Sequence, residues 1–153
     1  MAERLHKMWC INPQYIQKKY EKFKGLLENS PNSNPTRLKK HFITKVGACH
    51  LFNATTLTSG YRKITLKTIG EEAKINSSIF VYFMENGKNK DALPSVKKKV
   101  DISHLCHNRA CVNPHHLNRE PRKINNQRKN CKQNKPKTCN GHDPYPLCYF
   151  PKA

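Results

Sequence analysis

DISHLCHNRACVNPHHL occupies residues 101–117, and its seventeen residues hold two cysteines, four histidines, an aspartate and a proline. One tetrahedral metal site cannot use that many ligands, so the side chains must divide into separate jobs. VDISHL reads as a strand, which sends alternate side chains to opposite faces. His104 and Cys106 would share a face only if the strand ran on, and a bend after His104 would part them. By itself such a histidine is more often structural than catalytic.

Two ligand clusters emerge around this stretch: Cys106-x4-Cys111-x4-His116, and Cys131-x7-Cys139-x2-His142-x5-Cys148. The second has four ligands of the types that close a structural zinc site. They lie in a segment with little apolar content, which only a crosslink could order. The first has three local ligands and needs a fourth. Cys49, in GACHLF, is the best candidate, because a remote cysteine would staple another layer to this loop. His115 competes with His116 for the local position, and His50 competes with Cys49 for the remote one. Six of the seven cysteines are then used and Cys10 is left over.

The rest of the chain sets the partners. With 153 residues there is room for one domain, and a hydrophobic fraction of 36% leaves a modest core that needs metal or a partner to hold it. Lys and Arg total 29 against 10 acids, a formal charge of +19 spread along the whole chain. Such a field attracts a polyanion, and nucleic acid is the natural one because phosphate neutralisation releases counterions. No run of apolar residues is long enough to span a membrane. MAERLHKMWCINPQ lacks the apolar core of a signal peptide. The expected location is intracellular, and nuclear for a DNA-binding chain, where unpaired cysteines point to metal rather than disulfides.

Working outward, PQYIQKKYEKFKGLLE (13–28) carries apolar residues at helical spacing, with Pro13 suited to a first turn. SPNSNPT (30–36) reads as a loop. HFITKVGACHLF and YRKITLKT are strand-like, with a turn at 58–60 between them. In the second run Ile64 and Leu66 alternate with Lys63, Thr65 and Lys67. That outer face is either simply solvated or a β-ribbon reading a DNA groove. EEAKINSSIFVYFME (71–85) is expected to be helical, although Ile79–Phe83 would equally suit a strand. REPRKINNQRKN (119–130) reads as a helix too polar for the core, its cations, Arg122 and Lys123 among them, facing ligand or solvent.

SHLCHNRACVNPHHL followed by a polar helix carrying Asn resembles the His-Cys box homing endonucleases of the ββα-metal nuclease superfamily. The resemblance is dense over 102–131, continues to 148 and reaches loosely back to Cys49. It implies a small α+β domain with an antiparallel β-ribbon, a ββα-metal motif and two structural zincs. The domain would span 37–153, after an N-terminal helical extension at 1–36. Cys49, Cys106, Cys111 and His116 would bind the first zinc; Cys131, Cys139, His142 and Cys148 would bind the second. His104 would be the general base, Asn125 the ligand of a catalytic Mg²⁺, and Arg62 the contact to the scissile phosphate. Asn126 competes with Asn125 if the helix shifts by one residue. The implied activity is Mg²⁺-dependent, site-specific hydrolysis of double-stranded DNA, with Arg62, Lys63, Thr65, Lys67, Arg122 and Lys123 on the DNA. Symmetric dimers suit palindromic sites, so a homodimer is one expectation for its assembly. A non-catalytic zinc DNA-binding module is the alternative, though such a module has no need to keep His104, Asn125 and Arg62 together.

Overall fold

The computed structural model describes residues 2–28, 47–51, 62–133 and 139–149. Two helices lead, α1 (Ala2–Ile11) and α2 (Pro13–Glu28). Asn12 separates them and caps the second: its Oδ1 accepts from the Tyr15 amide at 3.1 Å, and Pro13 occupies the first turn, where no amide proton is needed. The faces they bury are Leu5 and Met8, then Ile16, Tyr20 and Phe23. These residues join Leu66, Ile75, Phe80 and Val112 in one hydrophobic cluster, so the leading helices, which fall within the expected 1–36 extension, share a core with the rest of the chain.

A hairpin comes next, β1 (Lys63–Thr68) and β2 (Glu71–Asn76), antiparallel with Leu66 opposite Ala73 and Ile64 opposite Ile75. Ile69 and Gly70 make the turn, and Gly70 takes φ +83, a conformation natural to glycine. This corrects the expected helix over 71–85. EEAKIN alternates Ala73 and Ile75 inward against Glu72 and Lys74 outward, so it pairs as a strand, and the helix α3 begins only at Ser77 (Ser77–Glu85). Ile75 fits both periods, and the tight turn before it favours the strand. The expected strand at GACHLF is also corrected, since its described part, 47–51, is not a strand. Its carbonyls are taken up elsewhere: that of His50 accepts from Val112 and that of Ala48 from the Asn113 side chain. Residues 41–46, the turn at 58–60 and the loop at 30–36 lie outside the described residues.

Helix α3 is the central packing element. Phe80, Val81, Phe83 and Met84 are buried, with Tyr20 edge-on to Phe80 and Trp9 edge-on to Phe83. Each such aromatic contributes about 1.5–3 kcal/mol by burial. The Arg62 carbonyl accepts from both the amide and the hydroxyl of Ser77, so the foot of β1 holds the start of α3.

Helix α3 also packs against the second antiparallel pair, β3 (Val100–His104) and β4 (Leu117–Pro121), which runs directly into helix α4 (Arg122–Gln133). Strand, strand and helix form a ββα unit, and the long β3–β4 connection carries the cysteine-rich loop. The fold is a small α+β arrangement with antiparallel ribbons, as the family resemblance implied.

Candidate functional site

Two four-ligand clusters form among the described residues, Cys49 with Cys106, Cys111 and His116, and Cys131 with Cys139, His142 and Cys148. In each, the ligand atoms all lie within 4.8 Å of one another. For zinc with thiolate and imidazole ligands, a tetrahedral S–N edge is roughly 3.6 Å. In the first cluster His116 Nδ1 lies 3.7 Å from Cys49 Sγ and 3.5 Å from Cys111 Sγ. In the second His142 Nε2 lies 3.5 Å from Cys131 Sγ and 3.4 Å from Cys148 Sγ.

The outer contacts fix which ring nitrogen faces each cluster. His116 Nε2–H donates to the Gly47 carbonyl at 2.8 Å, which leaves Nδ1 facing the cluster. His142 Nδ1–H donates to Gln127 Oε1 at 3.3 Å, which leaves Nε2. Both alternatives left open by spacing close here, since His115 and His50 are exposed and outside the clusters. The donor set also calls for a cation. Hydrogen bonds from Cys106 and then Cys111 push the Cys49 thiol far down, while hydrogen bonds with Cys111 and Cys49 push Cys106 up and burial pushes Cys111 up. Three thiols in one buried group cannot all ionise without a positive centre. Cys49→Ser is expected to lower bound zinc from two ions per chain to one, measured by elemental analysis after gel filtration. Two retained ions would remove Cys49 from the site.

His104 ends β3, and the chain turns immediately after it, so the base candidate and Cys106 diverge as a bend requires. Its Nε2–H donates to the Cys111 carbonyl at 3.1 Å, which leaves the lone pair on Nδ1. The metal-binding loop therefore sets the tautomer through its own backbone. Burial pushes the imidazole down to about 4, so it is neutral at pH 7.

Ile102 and His104, two apart on β3, line one cleft of about 480 Å³ together with Asn125 and Lys129 of α4. His107, Arg109, Arg128 and Lys132 also line it. His104 and Asn125 are thus brought together. Arg62 is not among the lining residues; it stands half-buried at the foot of β1. Lys63, Thr65 and Lys67 share the outer face of the ribbon, with Lys67 paired to Glu72 at 3.3 Å. Lys123 is exposed on α4, whereas Arg122 is engaged by Asp101. Asn126 is exposed and absent from the cleft lining.

Several residues went unread in the sequence. Arg128, expected to face ligand or solvent, is the largest fully buried side chain among the described residues. Its Nε and Nη2 donate to Glu120 at 2.6 and 2.7 Å, and Nη1 donates to the Pro146 carbonyl at 2.7 Å and to Cys148 Sγ at 3.5 Å. Burial opposes both charges, but the pairing outweighs it: Glu120 is held below its ordinary range and Arg128 above. The readable signal was spacing. Asn125, Arg128, Lys129 and Lys132 fall at i, i+3, i+4 and i+7, one face of a helix.

A family model for the zinc-binding loop region of homing endonucleases matches residues 48–149. That is most of the chain, and it takes in both clusters and the ββα unit: the chain belongs to this family. No curated protein matches the chain. No solved structure matches it either.

Proposed function

We propose that this chain is a Mg²⁺-dependent, site-specific endonuclease that hydrolyses phosphodiester bonds in double-stranded DNA. The observation that carries the reading is the cleft in which His104 and Asn125 meet, walled by cations, in a chain of the homing-endonuclease family. His104 acts as general base: Nδ1 takes a proton from the attacking water, while the Cys111 carbonyl holds the ring by its other nitrogen. Asn125 offers an uncharged oxygen ligand, which suits Mg²⁺ because most of its shell stays with water and DNA oxygens. Bound there, the ion would stabilise charge on the scissile phosphate and leaving oxygen. Arg62 contacts that phosphate, with the DNA's approach to the foot of β1 completing the site. Lys63, Thr65 and Lys67 on the ribbon and Arg122 and Lys123 on α4 hold the duplex, and Arg109, Lys129 and Lys132 add phosphate contacts along the cleft.

The two clusters are read as closed zinc staples, since four protein ligands leave no position for substrate. Residues 37–153 are proposed as the nuclease domain and 1–36 as an extension packed on it. No helix among the described residues is long and apolar enough to cross a membrane. A nuclear location follows from a DNA substrate. Cutting both strands at one twofold site calls for a homodimer.

The test is incubation of zinc-loaded protein with a randomised duplex library and Mg²⁺, followed by sequencing of the ends. The expected result is a family of ends sharing one motif, abolished by chelating Mg²⁺. Tight DNA binding without cleavage in Mg²⁺ or Mn²⁺ would make the chain a zinc-stapled binding module instead.

A further inference from the structure

Asp101 lies on β3 three residues before the base, and nothing in the proposed chemistry uses it. Its surroundings are specific. Oδ1 accepts from Arg122 Nη2 at 3.0 Å and Nε at 3.2 Å, and Oδ2 accepts from Asn125 Nδ2 at 3.1 Å. The carboxyl is held below the usual carboxylate range by Arg122 and Asn125, against the opposing effect of burial. Asp101 does not itself line the cleft, whereas Asn125 does.

A carboxamide has two arms of nearly equal shape, one a donor and one an acceptor, and a half-turn about its last bond exchanges them. Only the acceptor arm can bind a cation. A carboxylate cannot donate, so an asparagine lying against one must turn its NH₂ toward it. Arg122 occupies both oxygens of Asp101 as well, which neutralises the carboxylate and keeps it from competing for the ion. We propose that Asp101, backed by Arg122, is a positioning residue that locks the Asn125 carboxamide with its oxygen as the arm offered to a divalent cation. This rests on the reading of Asn125 as metal ligand given above. It adds that the ligand is orientated before the ion arrives, and that Arg122 serves the site from within the protein as well as from its surface.

The experiment uses the full, zinc-loaded chain with a duplex and Mn²⁺ as paramagnetic probe, following the Asn125 side-chain amide by ¹⁵N-resolved NMR. In the wild type that amide should be a single resonance, protected from exchange, and broadened as Mn²⁺ is added. Asp101→Ala should remove the protection and raise the Mn²⁺ concentration for half-broadening about tenfold, with two zincs retained. Asp101→Asn, whose own oxygen can accept the same hydrogen bond, should recover to within about threefold of wild type. Arg122→Met keeps the carboxylate and should retain the protected amide. If Asp101→Ala does not load zinc, Asp101→Thr takes its place, since it suits a strand and lacks the carboxylate. Half-broadening at the same Mn²⁺ concentration in wild type and variant overturns the proposal, whether or not the chain cleaves DNA. A protected, Mn²⁺-sensitive amide in a chain that cuts no library member would keep the positioning role and remove the nuclease reading alone.

Discussion

Replacing His104 by alanine is expected to slow DNA cleavage by about 10²–10⁴-fold at saturating Mg²⁺, the usual worth of a positioned general base. Zinc content and duplex affinity should hold. The expectation comes from the geometry of one ring: its Nε2–H is committed to the Cys111 carbonyl, so Nδ1 carries the lone pair. Alanine removes both the lone pair and that hydrogen bond. His104→Gln separates the two effects, because an amide can donate to the same carbonyl but cannot take the proton. Both variants should be slow to a similar degree if proton transfer is the lost step. A loss of less than tenfold in alanine, or near-normal cleavage in glutamine, would leave His104 as a prop for the metal-binding loop.

The second large effect is on stability. Arg128→Met is expected to cost about 3–5 kcal/mol, because it strands the Glu120 carboxylate in the interior without its counter-charge. The pair is bidentate, and the two side chains are 2% and 0% exposed. The variant also leaves the Pro146 carbonyl without this donor, which loosens the second cluster where it meets α4. Urea unfolding should be compared at a fixed free zinc concentration, since metal that binds only the folded chain adds to apparent stability. The double variant Arg128→Met/Glu120→Leu should lie closer to wild type than Arg128→Met alone, as apolar replacements for buried pairs commonly do. A single variant within about 1 kcal/mol of wild type would show that water reaches the pair and shields it.

The two Cys/His clusters were the most legible part of the chain. Thiols and imidazoles with few neighbours to bury them have one economical use, and the four-ligand count pointed to Cys49 without any geometry. The helix at 13–28 was legible because its apolar face and its first turn agree. The ribbon's partner strand was not. Ile75, Ile79, Phe80 and Phe83 satisfy a helical period, yet Ala73 and Ile75 also satisfy a strand's, and pairing through the Ile69-Gly70 turn decides between them. Arg128 was hidden for a different reason. Composition says that a helix as polar as RKINNQRKN belongs at the surface, and it cannot say that one guanidinium turns inward to meet Glu120. Asp101 was unread because its importance lies in the orientation of a neighbour, which no spacing records.

The buried Arg128–Glu120 pair has a consequence for α4 that goes beyond its energy. A helix can slide or roll by one residue, turning each side chain about 100° around its axis. Asn125 and Asn126 are chemically identical, so nothing in their own structure favours one over the other at the cleft. Arg128 breaks that degeneracy from one turn further along the same face, because any roll of the helix withdraws the guanidinium from its buried carboxylate. It acts as an index pin that sets the rotation of the helix, and with it which asparagine faces the cleft.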